Sequence, residues 1–365
     1  MTTVLIAGGG TGGHLMPALA IADAIRRTRP EVRVVLIGAE RGLEGRVLPG
    51  RGVPFHLLPV EPLYRRNWWR NLRWLFLGPR VVRQALAVLE QERPDVVLGT
   101  GGYAAGPVVW LAARRGYPTA VLEQDAVPGL TTRLLARSAR HIYLAVPEAE
   151  RRLPRQLRAA VFVTGAPIEA PRTDPEFRAE ARARFGLNGR SVVLVLGGSQ
   201  GALAINAAVA EWIGSGGCSG VQLLWVTGPA THQRFRHLHA PPDVQVFDFL
   251  DPIAPAYAVA DLAVTRAGSM TLAELSAWGI PAILIPLPSA AANHQLRNAQ
   301  ACASAGAAVL LPQDELDGAR LGREVADLVR DPPRLATMGQ AARGRGKPEA
   351  TSRIVALLGS LSGGW

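Results

Sequence analysis

The residues best suited to chemistry stand in glycine-rich turns. The run Gly8-Gly9-Gly10-Thr11-Gly12-Gly13-His14 follows a short apolar segment and ends on an imidazole. Glycines let main-chain N–H groups come close to an anion or a sugar at a helix start. The run lacks the G-x-G-x-x-G spacing with a later acidic ribose ligand, and it lacks the Lys-Ser/Thr that closes a P-loop. A plain nucleotide dehydrogenase or NTPase is therefore disfavoured. His14 at the mouth of such a turn suits proton transfer, although a histidine there also serves as a helix cap or a satisfied core group. A second turn, Gly197-Gly198-Ser199-Gln200-Gly201-Ala202, offers amides and the Ser199 hydroxyl to a phosphate.

A third run, Arg266-Ala267-Gly268-Ser269-Met270-Thr271-Leu272-Ala273-Glu274, follows an apolar strand and opens a helix. Amides at Ser269–Thr271 would meet a diphosphate, helped by the helix dipole. Glu274, about one turn on, would accept both hydroxyls of a ribose; otherwise it is an exposed helix charge. This set supplies the electrostatics for a departing nucleoside diphosphate without a metal. Three shorter segments add polar groups: Gly99-Thr100-Gly101-Gly102-Tyr103 with Ala104-Ala105-Gly106-Pro107, Leu122-Glu123-Gln124-Asp125, and Asn293-His294-Gln295 with Asn298. Each alone is compatible with loop solvation or capping.

The stretch at 64–77 interleaves Trp68, Trp69, Trp74, Phe76 and leucines with Arg65, Arg66, Arg70 and Arg73. Aromatic rings favour the lipid headgroup level and arginine favours anionic lipid. A membrane surface is the expected partner. Packing in a core or dimer, and stacking on RNA, are the rival readings.

These turns need rigid elements behind them. Residues 4–25 and 191–213 echo one another: apolar run, glycine turn, helix-period run. That is a buried parallel strand feeding a helix. Further strands are expected at 32–37, 96–98, 119–122, 141–144 and 160–164, then at 222–227, 244–247, 262–265 and 282–285. Helices are expected at 17–27, 79–91, 130–136, 176–185, 203–212, 270–278 and 294–305. The alternation predicts an α/β protein with two doubly wound parallel sheets. The expected division is 1–165, 166–345 and a C-terminal helical stretch 346–365 that packs back across a proline-rich joint at 165–175. Ligand would lie in a cleft at the carboxyl ends of both sheets.

Composition sets the outer bounds. The chain has 365 residues, enough for two domains, and 48% are apolar. A net charge of +11, nearly all of it arginine, favours anionic partners without choosing among them. Cys218 and Cys302 have no metal-ligand spacing, which points to a reducing compartment and no structural zinc. The N-terminus is not that of a signal peptide, and no stretch of about twenty apolar residues is present to span a bilayer.

Taken together, GGTGGH, GGYAAGP, the EQ segment, GGSQGA-x-x-IN, R-x-G-x-x-T-x-x-E and HQ-x-x-NA resemble family-28 glycosyltransferases over nearly the whole chain. The resemblance implies a GT-B fold: two Rossmann-like domains around a cleft. It implies inverting transfer of N-acetylglucosamine from UDP-N-acetylglucosamine to lipid I, undecaprenyl-diphospho-N-acetylmuramoyl-pentapeptide. The product is lipid II, for peptidoglycan and hence for cell shape and division. By the same resemblance the N-terminal domain takes the acceptor at the cytoplasmic face of the membrane and the C-terminal domain takes the donor. No cofactor, metal or nucleic acid is implied, and other cell-wall synthesis proteins are partners. Thr11, Gly12 and Gly13 match the loop touching donor sugar and acceptor diphosphate, and His14 matches a histidine needed for activity. Ser199, with Gln200 beside it, matches a donor-binding serine, Leu250 the residue whose backbone reads uracil, Ser269 to Glu274 the phosphate and ribose run, and Gln295 a sugar-reading glutamine. Tyr103 and Asp125 complete the expected substrate contacts, and Glu123 is the alternative base to His14. Two positions depart from the family pattern: Asp125 replaces an asparagine, and Glu169 stands where an arginine near the donor is usual, with Arg172 a candidate substitute. A related transferase with another acceptor, a non-catalytic sugar-nucleotide binder and a UDP-sugar epimerase remain as rivals.

Overall fold

The computed structural model describes every residue except 1, 11, 43, 63–67, 198–200, 219 and 291–292, and leaves out the side chains of residues 12, 46, 68 and 70. The chain forms two compact units, Met1–Glu169 with Glu349–Trp365, and Ala170–Pro348.

The first unit carries a parallel sheet of seven strands: β1 (Thr3–Ala7), β2 (Arg33–Ala39), β3 (Phe55–Leu58), β4 (Val96–Gly99), β5 (Thr119–Glu123), β6 (His141–Leu144) and β7 (Ala160–Val163). Their order across the sheet is β3-β2-β1-β4-β5-β6-β7. Helices cover both faces, so the strands read as mostly apolar runs. Successive side chains of β1 divide between two cores. Val4 and Ile6 pack with the helix Gly12–Thr28, whereas Leu5 and Ala7 pack with the helices Trp74–Glu92 and Gly102–Arg114. This is the two-residue period of a strand with no solvent face.

The second unit repeats the plan with β8 (Ser191–Leu196), β9 (Val221–Val226), β10 (Val244–Phe247), β11 (Leu262–Thr265), β12 (Ala282–Leu284) and β13 (Ala308–Leu310). The order is β10-β9-β8-β11-β12-β13, again all parallel. Val193 and Val195 face the helices Leu203–Gly214 and Gly318–Val329. Val192, Leu194 and Leu196 face the helices Pro175–Arg184, Ala254–Val259 and Ser269–Trp278.

Two edge strands, β3 and β13, were not expected from the pattern. Each is only three or four residues long and pairs on one side only. The last helix, Ala350–Leu361, belongs to the first unit. Ile354, Val355 and Leu358 enter the core beside the helix Gly12–Thr28, the Thr351 hydroxyl donates to Ile168 O (2.7 Å), and the Arg353 guanidinium donates to Val163 O (3.1 Å).

Candidate active site

In each sheet the strand order reverses between one neighbouring pair: β1 with β4, and β8 with β11. At such a switch point the following helices go to opposite faces, and a crevice opens beyond the carboxyl ends of the strands. All four chemically promising turns stand there.

In the first unit, the turns after β1 and β4 interlock. A Cβ on Gly8 would collide with the Thr100 hydroxyl, one on Gly102 with Gly9 O, and one on Gly10 with the Tyr103 ring. A Cβ on Gly101 would sit 2.6 Å from His14 Nδ1. Gly101 and Gly102 also hold φ of 96° and 75°, open to glycine but strained for other residues. The glycines thus let two main chains and one imidazole share a space that side chains would fill.

That packing fixes the chemistry of His14. Its Nδ1 lies 3.2 Å from Thr100 O, the Thr100 hydroxyl donates to His14 O (2.8 Å), and Gln124 Nε2 donates to the same Thr100 carbonyl (2.7 Å). A carbonyl only accepts, so Nδ1 carries the proton, and in the neutral ring the lone pair belongs to Nε2. The half-buried imidazole is set as an acceptor of protons at Nε2.

The same turn holds a residue that the pattern reading missed. Glu44 is fully buried, its Oε1 accepts the Gly10 N–H, and its side chain fills the room left by Gly9, Gly38 and Gly42. The Gly10 amide therefore braces the loop and is not offered to a ligand; Gly12, Gly13 and His14 begin the helix and carry the first-turn amides. The only signal in the sequence is the Gly42-Leu43-Glu44 triplet after β2. Thr11 lies outside the described residues.

Glu123 and Asp125 end β5. Glu123 is 5% exposed, and its two oxygens accept the N–H groups of Asp125 (3.0 Å) and Gly129 (2.9 Å). Burial pushes its carboxyl above the ordinary range, against the opposing pull of the Thr132 hydroxyl and these amides. Glu123 braces the 123–129 loop through both of its oxygens. Asp125 is half-buried at the turn, and Tyr103 is half-buried beside Gly10.

In the second unit Ser199 and Gln200 lie outside the described residues, but the frame of their loop is clear. A Cβ on Gly201, whose φ is 80°, would stand 2.5 Å from Thr227 O. Asn206 is fully buried and saturated: Nδ2 donates to Thr227 O and Thr231 Oγ1 (both 2.9 Å), and Oδ1 accepts Trp225 Nε1 (2.8 Å). It ties the loop's helix to the end of β9.

Beyond β11, Arg266 is a strut. Its guanidinium donates to Ile285 O (3.0 Å), Pro286 O (3.3 Å) and Gln313 Oε1 (2.6 Å). Asn298 Nδ2 donates to Ala267 O (3.3 Å) from below. Together they hold the start of the helix Ser269–Trp278. Its N-cap is Gly268, which has no side chain to cap the amides of Ser269, Met270 and Thr271. Ser269, Met270, Thr271, Leu272, Ala273 and Glu274 are all half-buried. Glu274 Oε2 accepts the Tyr257 hydroxyl at 2.8 Å. Gln295 Oε1 accepts Leu287 N–H (2.9 Å), which turns its amide NH₂ away from that loop. Leu250 follows the exposed Phe249 at the end of β10 and packs partly into the core.

Known proteins agree with these features. Residues 4–144 match the glycosyltransferase family 28 N-terminal domain and residues 192–354 match its C-terminal domain. The chain belongs to glycosyltransferase family 28. A transferase from Desulforudis audaxviator is 40% identical over 99% of this chain and 98% of its own, and one from Moorella thermoacetica is 41% identical over 97% and 98%. Both are named UDP-N-acetylglucosamine–N-acetylmuramyl-(pentapeptide) pyrophosphoryl-undecaprenol N-acetylglucosamine transferase. The crystal structure of Acinetobacter baumannii MurG is 27% identical, with a TM-score of 0.77, over 98% of this chain and 99% of that one. The fold is GT-B, and the chain is a hexosyltransferase.

The family-28 departures now have positions. Glu169 is exposed at the last residue of the first unit's main segment. Arg172 lies over the Phe177 ring at 4.1 Å and 3.6 Å from Asp174. It lines an open cavity of about 860 Å³ together with Ser191, Asp261 and Pro281, which stand at the amino ends of β8, β11 and β12. Arg172 is thus at the wrong end of the sheet to replace the missing arginine.

The tryptophan stretch of this family-28 chain divides in two. Trp69, Leu72, Leu75 and Phe76 are 61%, 56%, 70% and 84% exposed. Trp74, expected on the membrane side with them, packs instead against the core cluster under the helix Trp74–Glu92. A helical turn places neighbours in sequence on different faces, and one tryptophan fell on the inner one. Arg73 pairs with Glu61 (3.3 Å), so part of its charge is neutralised. The side chains of Trp68 and Arg70 lie outside the described residues. Trp110, Leu130 and Leu134 are also exposed on neighbouring helices. No helix among the described residues is long and apolar enough to cross a membrane.

Proposed function

We propose that this chain transfers N-acetylglucosamine from UDP-N-acetylglucosamine to the 4-hydroxyl of the muramoyl sugar of lipid I, giving lipid II. The named relatives at about 40% identity over almost their whole length support the substrate pair. The observation that carries the chemistry is His14, whose Nδ1 is held on Thr100 O so that Nε2 has the lone pair.

The acceptor hydroxyl attacks C1 of the donor sugar, and its proton passes to His14 Nε2. The C1–O bond to the diphosphate breaks as the new C1–O bond forms, and configuration inverts. The uncapped amides of Ser269, Met270 and Thr271 receive the charge that develops on UDP, reinforced by the helix dipole. Glu274 takes the ribose hydroxyls, the Leu250 main chain takes uracil and the Gln295 amide takes a sugar hydroxyl. Gly12 and Gly13 meet the acceptor diphosphate at the mouth of their helix, with Tyr103 and Asp125 beside it.

The first unit serves the acceptor at the cytoplasmic face of the membrane. Trp69, Leu72, Leu75 and Phe76 supply the apolar contact, and the net charge of +11 supplies attraction to anionic lipid.

The test is transfer of labelled N-acetylglucosamine to a short-chain lipid I analogue. Active wild type with His14→Ala reduced about a hundredfold or more in kcat supports the assignment, since positioned bases contribute on that order. Near-normal turnover of His14→Ala at saturating substrates defeats the base. Transfer to other acceptors but never to lipid I defeats the substrate.

A further inference from the structure

We infer that Tyr257 is the positioning residue that aims Glu274 and thereby sets the selectivity of the donor site for ribose. The inference rests on Glu274 being the ribose ligand.

Tyr257 lies in the helix Ala254–Val259, seventeen residues before Glu274 and on a different element. Only 4% of it is exposed. Its hydroxyl donates to Glu274 Oε2 at 2.8 Å. Its ring is clamped from the other side by Trp278 (centroids 6.1 Å apart, planes at 40°), and Trp278 in turn meets Phe177 at 6.5 Å. The phenol therefore has one place to point. Burial, and after it the Glu274 charge, push the Tyr257 hydroxyl well above its ordinary range, so it remains a donor at any working pH.

Glu274 has a long side chain, half-buried, in the second turn of its helix. A charge-assisted hydrogen bond from a rigid donor holds one carboxylate oxygen in place and so fixes the plane of the other. A carboxylate of fixed plane can accept from two neighbouring hydroxyls of one ring. A freely rotating carboxylate must lose that freedom each time a nucleotide binds. The ribose is remote from the sugar carbon that reacts, so its ordering enters binding and leaves chemistry alone.

Tyr257→Phe keeps the ring, its packing on Trp278 and the apolar surroundings, and removes only the hydroxyl. The experiment measures KM and kcat for UDP-N-acetylglucosamine and for its 2′-deoxyuridine counterpart, using wild type, Tyr257→Phe and Glu274→Gln, with thermal melting as the check on folding. The hydrogen bond predicts a KM for the ribose donor raised about five- to tenfold in Tyr257→Phe, with kcat within about twofold. The KM for the deoxy donor stays near its wild-type value, so preference for ribose falls towards that of Glu274→Gln. If Tyr257→Phe keeps the wild-type preference while Glu274→Gln loses it, the positioning role is wrong and the ribose assignment stands. If Glu274→Gln also keeps the preference, the ribose assignment itself is wrong and the inference falls with it. A uniform rise in KM for both donors marks Tyr257 as merely structural and also overturns it.

Discussion

The base role proposed for His14 rests on a carbonyl that cannot donate. Thr100 O fixes the proton on Nδ1, and the Thr100 hydroxyl anchors the main chain of His14 in return. The arrangement survives only while Gly101 and Gly102 stay bare. Gly102→Ala would press a methyl into Gly9 O at a φ of 75°. We expect it to cost about 1–3 kcal/mol of stability and to cut kcat far more than donor KM, read by melting and steady-state kinetics. Glu44 offers a finer probe. Glu44→Gln keeps an acceptor for the Gly10 N–H and should retain most activity. Glu44→Ala leaves that amide unpaired beside a void and should cost about 2–4 kcal/mol, with a matching fall in turnover below the melting point. Equal behaviour of the two variants would show that the carboxylate is not the brace.

Between elements, Glu92 plays the corresponding part. It ends the helix Trp74–Glu92 and binds Arg33 of β2 and His56 of β3, the latter at 2.8 Å. Burial alone would raise its carboxyl, but the hydrogen bonds and charges of Arg33 and His56 outweigh it and hold it below the ordinary glutamate range. The unfolded chain therefore takes up this proton first. The stabilisation is complete above pH 4.5 and is lost as pH falls from there through the lower folded value. Glu92→Gln should flatten the stability profile in that window, and Glu92→Ala should cost about 1–3 kcal/mol at neutral pH, because it removes the charge-assisted hydrogen bonds of two half-buried partners. The helix Ala350–Leu361 is a second such link. Ile354→Ala or Leu358→Ala should each lower the stability of the first unit by about 2–5 kcal/mol, seen in denaturant melts. An unchanged first unit would mean that this helix is dispensable to it.

At the level of the complete chain, each unit has its own sheet and its own paired cores. A ligand held by one unit stabilises that unit first. UDP at a hundred times its dissociation constant should add about 2.7 kcal/mol to the second unit and leave the first transition in place. If instead Glu274→Gln and wild type gain equally from UDP, the donor site lies elsewhere. The proposed membrane contact lies in the first unit. Leu75→Gln with Phe76→Gln should weaken binding to anionic vesicles about tenfold or more, and raised salt should weaken it further in wild type, since both the buried apolar surface and the screened charge contribute. Unchanged binding of the double variant would remove the patch from the membrane.

Much of this protein can be read directly from its residues, and the reason is local. A strand covered on both faces must be mostly apolar, so β4, β6, β10 and β11 were found to within a residue. A tight turn between strand and helix must be glycine, so the turns after β1, β4, β8 and β11 were visible, and their motifs carried the family. The helix Gly318–Val329 was not among those expected, although it carries ordinary signals: Asp317 caps the Arg320 N–H, and Leu321, Val325 and Leu328 share one face. What stayed hidden depends on pairs distant in sequence. Nothing near Glu44 announces that Gly9, from a distant segment, joins Gly38 and Gly42 in making room for it. Nothing near Tyr257 announces a carboxylate seventeen residues away, and Trp74 differs from Trp69 only in which way its helical turn faces. Backbone conformation follows from short-range sterics and burial pattern, which a sequence states outright. The partner of a buried polar group, and the side a tryptophan takes, follow from how finished elements pack, which only the folded chain decides.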